Sequence, residues 1–324
     1  AVLAGVARNG EEGIAQTKAL QPDVISMDVH MPVMDGLEAI EAIMADHPTP
    51  IAGVTAADSS EMAGISFRAI GGGALDVLAK PAGPREAESI VHRLCLLSRV
   101  RVRARRCRPD AVQTAPPVSA PKPATPTEWR APGAVRPVDL VAIAISTGGP
   151  PVLERILRGL PSDFGAGLAI VQHVSPGFDA HLVEWLNHTS GIDVRLAGPD
   201  TRIERGVAWI APADRHLRVK MGGRIEVDGD AERVSGHRPS GTVLLESVAR
   251  AYGPRAAGLV LTGMGDDGAQ GLLALRHAGG LTAAQDGPSS AVDGMPKSAR
   301  QLDAAEFVVS VDELPDYVRA LGGA

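Results

Sequence analysis

The chain has 324 residues, 44% of them hydrophobic, and a net charge of −6, so it can bury two cores and its charge does not favour nucleic acid as a partner. No apolar segment approaches the roughly 20 residues that cross a bilayer, and no signal peptide is visible, which predicts a cytoplasmic protein without membrane insertion. Cys95 and Cys107 lack the spacing of a disulfide framework or a zinc site.

Three short apolar segments near the start of the chain each lead into a polar side chain. The first ends at Asp28, the second ends at Thr55, and the third comes just before Lys80. Between the first two lies a segment with an apolar face at helical spacing, and Pro48 marks its end. Asp, Thr and Lys therefore recur at the ends of predicted strands.

A characteristic segment, MPVMDG at 31–36, follows the first of these side chains. With it, the pattern resembles the flavodoxin-like receiver domain of two-component response regulators. The resemblance implies that Asp28 accepts a phosphoryl group, that Thr55 contacts this group and that Lys80 pairs with its charge. It also implies a histidine kinase as phosphodonor and Mg²⁺ as cofactor for phosphorylation. Without that segment, Asp28 would be interpreted as an ordinary acid that caps a loop.

The predicted receiver domain, residues 1–100, lacks the first strand and the first helix of that fold. In receiver domains the first strand ends in an acidic pair that helps to hold Mg²⁺, whereas here residues 1–7 are predicted to form the second strand. Because Mg²⁺ needs several oxygen ligands, weak phosphorylation of Asp28 is expected in this chain. Weak docking on the neighbouring domain is expected too, since a strand is missing. Val77 stands where receivers often carry an aromatic switch residue.

Residues 101–137 are predicted to be a linker. Arginines without an acidic neighbour crowd 99–108, and prolines are frequent over 116–137. Such proline density favours an extended, solvated backbone. Because no aromatic residues are interleaved with the arginines, they fit a solvated helix end, or docking on the acidic neighbouring domain, better than nucleic acid or a membrane surface.

Three apolar runs in the second half of the chain each stop at a residue with catalytic potential. The first two end at Ser146 and His173, and the third leads into a loop with Asp266 and Asp267. Continuous apolar runs separated by helical stretches predict a doubly wound, mostly parallel sheet whose strand ends open onto one crevice. A serine nucleophile needs a base, and the base needs an acid to orient it. The three positions are therefore candidates for a catalytic triad.

Each of these residues also has a simpler interpretation. The Ser-Thr-Gly-Gly turn is typical of a helix start that Ser146 caps or that binds an anion. His173 fits a buried histidine with a structural role, and Asp266 competes with Asp267 for the position of the acid. Other histidines that could act as the base are His181, His188, His216, His237 and His277.

Four ordered motifs resemble the catalytic domain of the chemotaxis protein-glutamate methylesterases. They are AISTGGP at 144–150, QHVSPGF at 172–178, HRPS at 237–240 and LTGMGDDG at 261–268. The resemblance covers residues 138–324 and implies a hydrolytic α/β domain. One departure is Ala at position 144, where the family usually has Gly; its methyl group is expected to crowd the turn slightly without removing a reacting group.

The resemblance assigns roles to the candidate residues. It implies that Ser146 is the nucleophile, His173 the base and Asp267 the acid, and that the backbone N–H groups of Thr147 and Met264 form the oxyanion hole. The implied reaction is hydrolysis of γ-glutamyl methyl esters on methyl-accepting chemotaxis receptors, with release of methanol, and deamidation of receptor glutamines. No cofactor is implied for hydrolysis. In the family the unphosphorylated receiver obstructs the cleft, and phosphorylation releases it.

Two alternatives come from other functional classes. A nucleotide-binding module would use the turn at 146–149 as a phosphate cradle, but the turn lacks the Gly-x-Gly-x-x-Gly spacing and the Walker lysine. A non-catalytic protein would regulate its partners through the receiver domain alone. Fast reaction of Ser146 with a serine-directed fluorophosphonate would separate an enzyme from such a protein.

Overall fold

The structure is a computed structural model, and it describes residues 2–55, 68–81, 83–100, 102, 127–129, 135–174, 176–199 and 201–323. Cys107, the arginines at 101–108 and most prolines of the predicted linker lie outside these ranges. Among the helices of the described ranges, none is long and apolar enough to cross a membrane.

The first domain contains a parallel three-stranded sheet flanked by helices. Its strands are β1 (Ile25–Asp28), β2 (Ile51–Thr55) and β3 (Asp76–Ala79), and its helices are α1 (Gly10–Leu20), α2 (Gly36–Asp46) and α3 (Pro84–Leu97). The strand order is β1-β2-β3. Because Asp28 pairs with Val54, and Thr55 with Ala79, all three strands end at the same edge of the sheet.

Helix α2 forms where the apolar spacing predicts it, and its start is fixed by a capping box. The Asp35 side chain accepts from the backbone of Glu38, and the Glu38 side chain accepts from the backbone of Asp35. Gly36 must lack a side chain, since a Cβ there would overlap the carbonyl oxygen of Asp28. The MPVMDG segment thus turns the chain tightly from β1 into α2.

The strand predicted over residues 1–7 is not formed in the described residues 2–7, which have no regular structure. Val2, Leu3 and Val6 are exposed. Apolar composition favours a strand, but a strand also needs a neighbour with which to exchange hydrogen bonds. Here β1 pairs only with β2 among the described strands, and residues 2–7 do not extend the sheet.

The second domain is built on a larger parallel sheet with helices on both faces. Its strands are β4 (Thr127–Glu128), β5 (Leu140–Ile145), β6 (Gly167–Gln172), β7 (Asp193–Leu196), β8 (Val207–Ile210), β11 (Ala256–Val260), β12 (Leu281–Gln285) and β13 (Phe307–Val309), and an antiparallel hairpin, β9 (His216–Val219) with β10 (Ile225–Asp228), lies beside it. The helices are α4 (Gly149–Arg158), α5 (Asp179–Thr189), α6 (Gly241–Tyr252), α7 (Ala269–His277), α8 (Gly294–Gln301) and α9 (Leu314–Leu321).

The order of the sheet, β4-β13-β12-β11-β5-β6-β8-β7, places β5 at its centre. Alternate residues of β5 enter different cores: Val141, Ile143 and Ile145 face the core with α4, α5 and α9, while Leu140 and Ala144 face the core with α6 and α7. The strand order reverses between β5 and β11, which is where ligands bind in such sheets. Since β6 and β11 flank β5, the polar residues after these three strands are brought together.

Part of the range predicted as linker belongs to this sheet. Strand β4 pairs in parallel with β13, and the adjacent Trp129 is buried with its ring edge-on to Tyr317 at 5.5 Å between centroids. The surrounding prolines and alanines conceal this short strand, because two residues carry no periodicity. The chain is therefore anchored to the catalytic domain before residue 138.

Candidate functional site

Ser146 lies at the turn between β5 and α4 and is almost completely buried. Its backbone N–H donates to Thr262 O at 2.9 Å, which joins the turn to the end of β11. Helix α4 is capped at Gly148, not at Ser146, and Gly148 has φ 75. A side chain at Gly148 would lie 2.5 Å from the Cβ of Ala291. The turn therefore leaves the Ser146 hydroxyl free of a capping role.

His173, directly after β6, is held by Asp267. Its Nε2 lies 2.9 Å from Asp267 Oδ2, and its side chain is 8% exposed. Because Nε2 donates to the carboxylate, the neutral ring carries its lone pair on Nδ1. That nitrogen is buried and has no hydrogen-bond partner among the described residues, Ser146 Oγ included. In trypsin-like proteases the two nitrogens are used the other way round.

Gln172 joins the two loops that carry the serine and the histidine. Its side-chain Nε2 donates to Ser146 O at 2.9 Å and to His173 O at 3.0 Å. An amide at the end of an otherwise apolar strand is the signal in the sequence, although its spacing does not show this bridge. Gln172 therefore fixes the separation of the two loops.

Asp267 is completely buried and accepts four hydrogen bonds. Besides His173, its donors are Ser240 Oγ at 2.6 Å, Gly241 N at 2.6 Å and Thr242 N at 3.1 Å, all at the start of α6. Burial alone would raise the pKa of Asp267, but the hydrogen bond and charge of His173 and the donors of α6 outweigh it and lower the pKa far below its usual range. The carboxylate is thus ionised at neutral pH.

The structure places Asp267, and not Asp266, against His173, since Asp266 is exposed. The other candidate bases lie elsewhere or are occupied. Those on helices α5 and α7 are His181, His188 and His277. His216 is buried with both ring nitrogens hydrogen-bonded. His237 stacks on His173 and makes no hydrogen bond to the acid among the contacts of the described residues.

The backbone N–H groups of Thr147 and Met264 make no hydrogen bond to any residue in the described part of the chain. Thr262 Oγ1 donates to Thr147 O at 2.9 Å and so fixes the peptide after the serine. A Cβ on Gly263 would lie 2.7 Å from the Cβ of Ser146, so the loop before Met264 passes directly beside the serine. Two free donors are consequently carried by the loops that flank Ser146.

The methyl group of Ala144, the departure from the family pattern, packs against two glycines. A Cβ on Gly241 would overlap the Cβ of Ala144, and one on Gly268 would lie 3.0 Å from it. These glycines leave room for the methyl group beside the acid loop. The methyl group expected to crowd the turn therefore fits against Gly241 and Gly268.

The first domain covers this site. Leu75 O accepts a hydrogen bond from Gly148 N at 3.1 Å, and Ile70, Leu75 and Val77 line the cavity beside Ser146 and His173. About 20 Å³ remains there, which is room for roughly one water molecule. This close docking differs from the weak docking expected from the sequence. The reason is that β3 makes the contact, at the opposite edge of the sheet from the unpaired side of β1.

The candidate phosphorylation site lies at the edge where β1, β2 and β3 end. Lys80 Nζ lies 2.7 Å from Asp28 Oδ2, both side chains are partly exposed, and Lys80 N donates to Thr55 O. Asp35 is engaged at the start of α2. In the described ranges no three potential ligands of the His, Cys, Asp and Glu types form a group that could hold a metal. Because Asp28 is paired with Lys80 and Asp35 caps α2, these residues do not fit Mg²⁺.

The chain joins a receiver-like domain to a doubly wound domain with serine, histidine and aspartate at neighbouring strand ends. This combination defines a class, the hydrolases regulated as response regulators. Residues 141–318 match the family model described as CheB methylesterase, and residues 2–92 match the response regulator receiver domain. The chain belongs to the CheB methylesterase family. The resemblance inferred from the motifs and the predicted α/β fold are thereby confirmed.

Similar proteins support this placement over nearly the whole chain. Two from Anaeromyxobacter dehalogenans, both named protein-glutamate methylesterase/protein-glutamine glutaminase, are 42% and 43% identical; the matches cover 97% and 98% of this chain and 90% and 89% of the relatives. The crystal structure of the Thermotoga maritima CheB methylesterase catalytic domain is 33% identical, with a TM-score of 0.55, and the match covers 58% of this chain and all of that one.

Replacement of Ser240 by Ala is expected to lower the free energy of unfolding by about 2 kcal/mol, because buried Asp267 loses a charge-assisted donor and α6 loses its N-cap. Since the pKa of Asp267 is lowered by folding, the stability it contributes is present above an unfolded pKa of about 3.9 and is lost as the pH falls below it. Urea unfolding at neutral and acidic pH measures both effects. Ser162→Ala, at an exposed serine, is the control; an equal loss in both variants would contradict the prediction.

Proposed function

We propose that this chain hydrolyses γ-glutamyl methyl esters on methyl-accepting chemotaxis receptors and releases methanol. The observation that carries the proposal is the imidazole of His173. Asp267 fixes it at Nε2, and its buried Nδ1 has no partner among the described residues in the cavity that Ser146 lines. The names of the relatives, which cover both methylesterase and glutaminase activities, support the same reaction.

In the proposed mechanism, Ser146 Oγ attacks the ester carbonyl carbon while His173 Nδ1 accepts its proton. Catalytic hydrogen bonds are often longer in apo enzymes and shorten when substrate binds, which accounts for the absence of a hydrogen bond between Ser146 Oγ and His173 Nδ1 here. The N–H groups of Thr147 and Met264 donate hydrogen bonds to the carbonyl oxygen and stabilise the negative charge that develops on it. Ionised Asp267 stabilises the imidazolium that forms on His173.

The tetrahedral intermediate then breaks its bond to the leaving group. His173 returns the proton, methanol departs and an ester joins the glutamyl group to Ser146. Water, activated by His173, cleaves this ester, which restores the serine and leaves a glutamate side chain. With glutamine as substrate the same steps release ammonia, so a single site accounts for both activities in the relatives' names.

Two matched receptor fragments test this proposal. One carries γ-glutamyl methyl esters and the other carries glutamine at the same positions. Methanol from the first and ammonia from the second are expected, and both should disappear in Ser146→Ala. If a related methylesterase accepts these fragments but this chain releases neither methanol nor ammonia from them, the proposal is overturned.

The receiver is proposed to control access to this site. The protein is proposed to act in the cytoplasm, where a histidine kinase would phosphorylate Asp28. The support is the position of Leu75 and Val77 over Ser146, together with the pair of Asp28 and Lys80 at the adjacent edge of the same sheet. A phosphoryl group would add charge beside Lys80 and compete with the present ion pair. Strand β3 leads directly from the cleft to Lys80 and so connects the two sites.

Phosphodonors are expected to stimulate this 324-residue chain weakly, because the described residues contain no group of three His, Cys, Asp or Glu ligands that could hold Mg²⁺, and Asp28 is paired with Lys80. The measurement is methanol release with and without acetyl phosphate and Mg²⁺, and Asp28→Asn is the control. Strong stimulation that is lost in Asp28→Asn would contradict this expectation.

A further inference from the structure

His237 opens the motif HRPS, and the triad chemistry leaves this histidine without a role. Its ring lies flat on the ring of His173, with 4.0 Å between centroids and 5° between planes. It approaches from a different part of the chain than Asp267, since it lies in the loop between β10 and α6. The base is thus held at Nε2 by the acid and on one ring face by a second imidazole.

Hydrogen bonds anchor the loop that carries His237 both before and after this residue in the chain. His237 and Val234 exchange two backbone hydrogen bonds, of 2.9 and 3.0 Å. The next residue, Arg238, donates to both carboxylate oxygens of Asp214, at 3.0 and 3.3 Å, and to Ala231 O at 2.7 Å. A ring on so constrained a loop can fix the orientation of its neighbour.

The stacked ring is neutral under the conditions in which the base works. Burial, together with the charges of His173, Arg93 and Arg233, lowers the pKa of His237 to about 4, although the charge of Asp267 opposes the shift. A neutral ring does not repel the imidazolium that forms on His173, and its π face attracts that cation. The stack is therefore compatible with both protonation states of the base.

We propose that His237 is a positioning residue that stacks on His173 and keeps Nδ1 of the base directed at Ser146. One edge contact, at Nε2, leaves the imidazole free to tilt about that hydrogen bond. The flat face of His237 removes this freedom. Since a misplacement of about 1 Å can cost on the order of 10²-fold in rate, a modest tilt would be expensive. The role of this stack in methyl ester hydrolysis rests on the proposed function.

The test compares two replacements in the full chain. His237→Ala removes the ring, whereas His237→Phe keeps a flat ring without nitrogens. We expect Ala to lower kcat for methanol release by about 10²-fold with KM little changed, and Phe to restore most of that loss with the pH profile of the wild type. His188→Ala, at an exposed histidine of α5, is the control.

A second readout, the rate at which a fluorophosphonate labels Ser146, keeps this test separate from the question of substrate. If the wild type is labelled but releases no methanol, the proposed substrate is wrong. Labelling that is fastest in the wild type, slower in His237→Phe and slowest in His237→Ala would still support the stack. Phe as slow as Ala would show that a ring nitrogen acts instead. Ala as fast as the wild type would also overturn the proposal, and thermal unfolding identifies variants that fail to fold.

Discussion

Ser146→Ala and His173→Ala are each expected to remove nearly all methanol release, by factors on the order of 10⁴ to 10⁶, while Asp267→Asn retains more activity. The nucleophile and the base act as a unit, so losing either stops proton transfer from the serine. Asn at position 267 keeps a side chain of similar shape but cannot stabilise the imidazolium. The measurement is kcat/KM on a methylated receptor fragment.

The double variant Ser146→Ala with His173→Ala should have a kcat/KM no lower than that of the worse single variant. Either change alone already removes proton transfer from the serine to the base, so the two losses do not add. Asp266→Asn is the matched control for the acid, since Asp266 is its exposed neighbour. Half of the wild-type rate in Ser146→Ala would contradict the triad. A larger loss in Asp266→Asn than in Asp267→Asn would reverse the choice of acid.

Removal of the receiver is expected to raise methanol release by roughly 10- to 100-fold, because a cleft open in about 1–10% of molecules would become open in all of them. The segment 127–324 is the appropriate truncation, since it keeps β4 and the buried Trp129. Basal methanol release by this segment and by the full chain is compared at equal concentration.

A single substitution tests the same cover in the intact chain. Val77→Asp places a charge against the apolar contact beside Ser146 and should also raise methanol release. Val91→Asp, at an exposed valine of α3, is the matched control and should not. Equal rates for the full chain, segment 127–324 and Val77→Asp would show that the docked receiver does not limit access.

Much of the fold follows from the sequence because the buried strands are continuous apolar runs. Strands β5 and β6 are buried at every position, so their limits are clear, and the residues that follow them are the ones with chemistry. The strand-end rule for parallel sheets then brings Ser146, His173 and Asp267 together without knowledge of any distance. The same rule brings Asp28 and Lys80 together.

The remaining features depend on contacts between distant segments, which no local pattern encodes. Ser240 and His237 were visible only as parts of a motif, and their contacts with Asp267 and His173 require the loop after β10 to fold back onto the sheet. Strand β4 is too short for periodicity. The docking through β3 depends on which edge of the first sheet faces the cleft, and that is a property of the assembled domains.

Fluorophosphonate labelling with peptide mapping tests most directly whether an activated serine lies beneath the receiver. We expect covalent label on Ser146, faster in segment 127–324 than in the full chain and lost when His173 is replaced by Ala. Label on another residue, or no label on Ser146 in either form of the protein, would contradict this account.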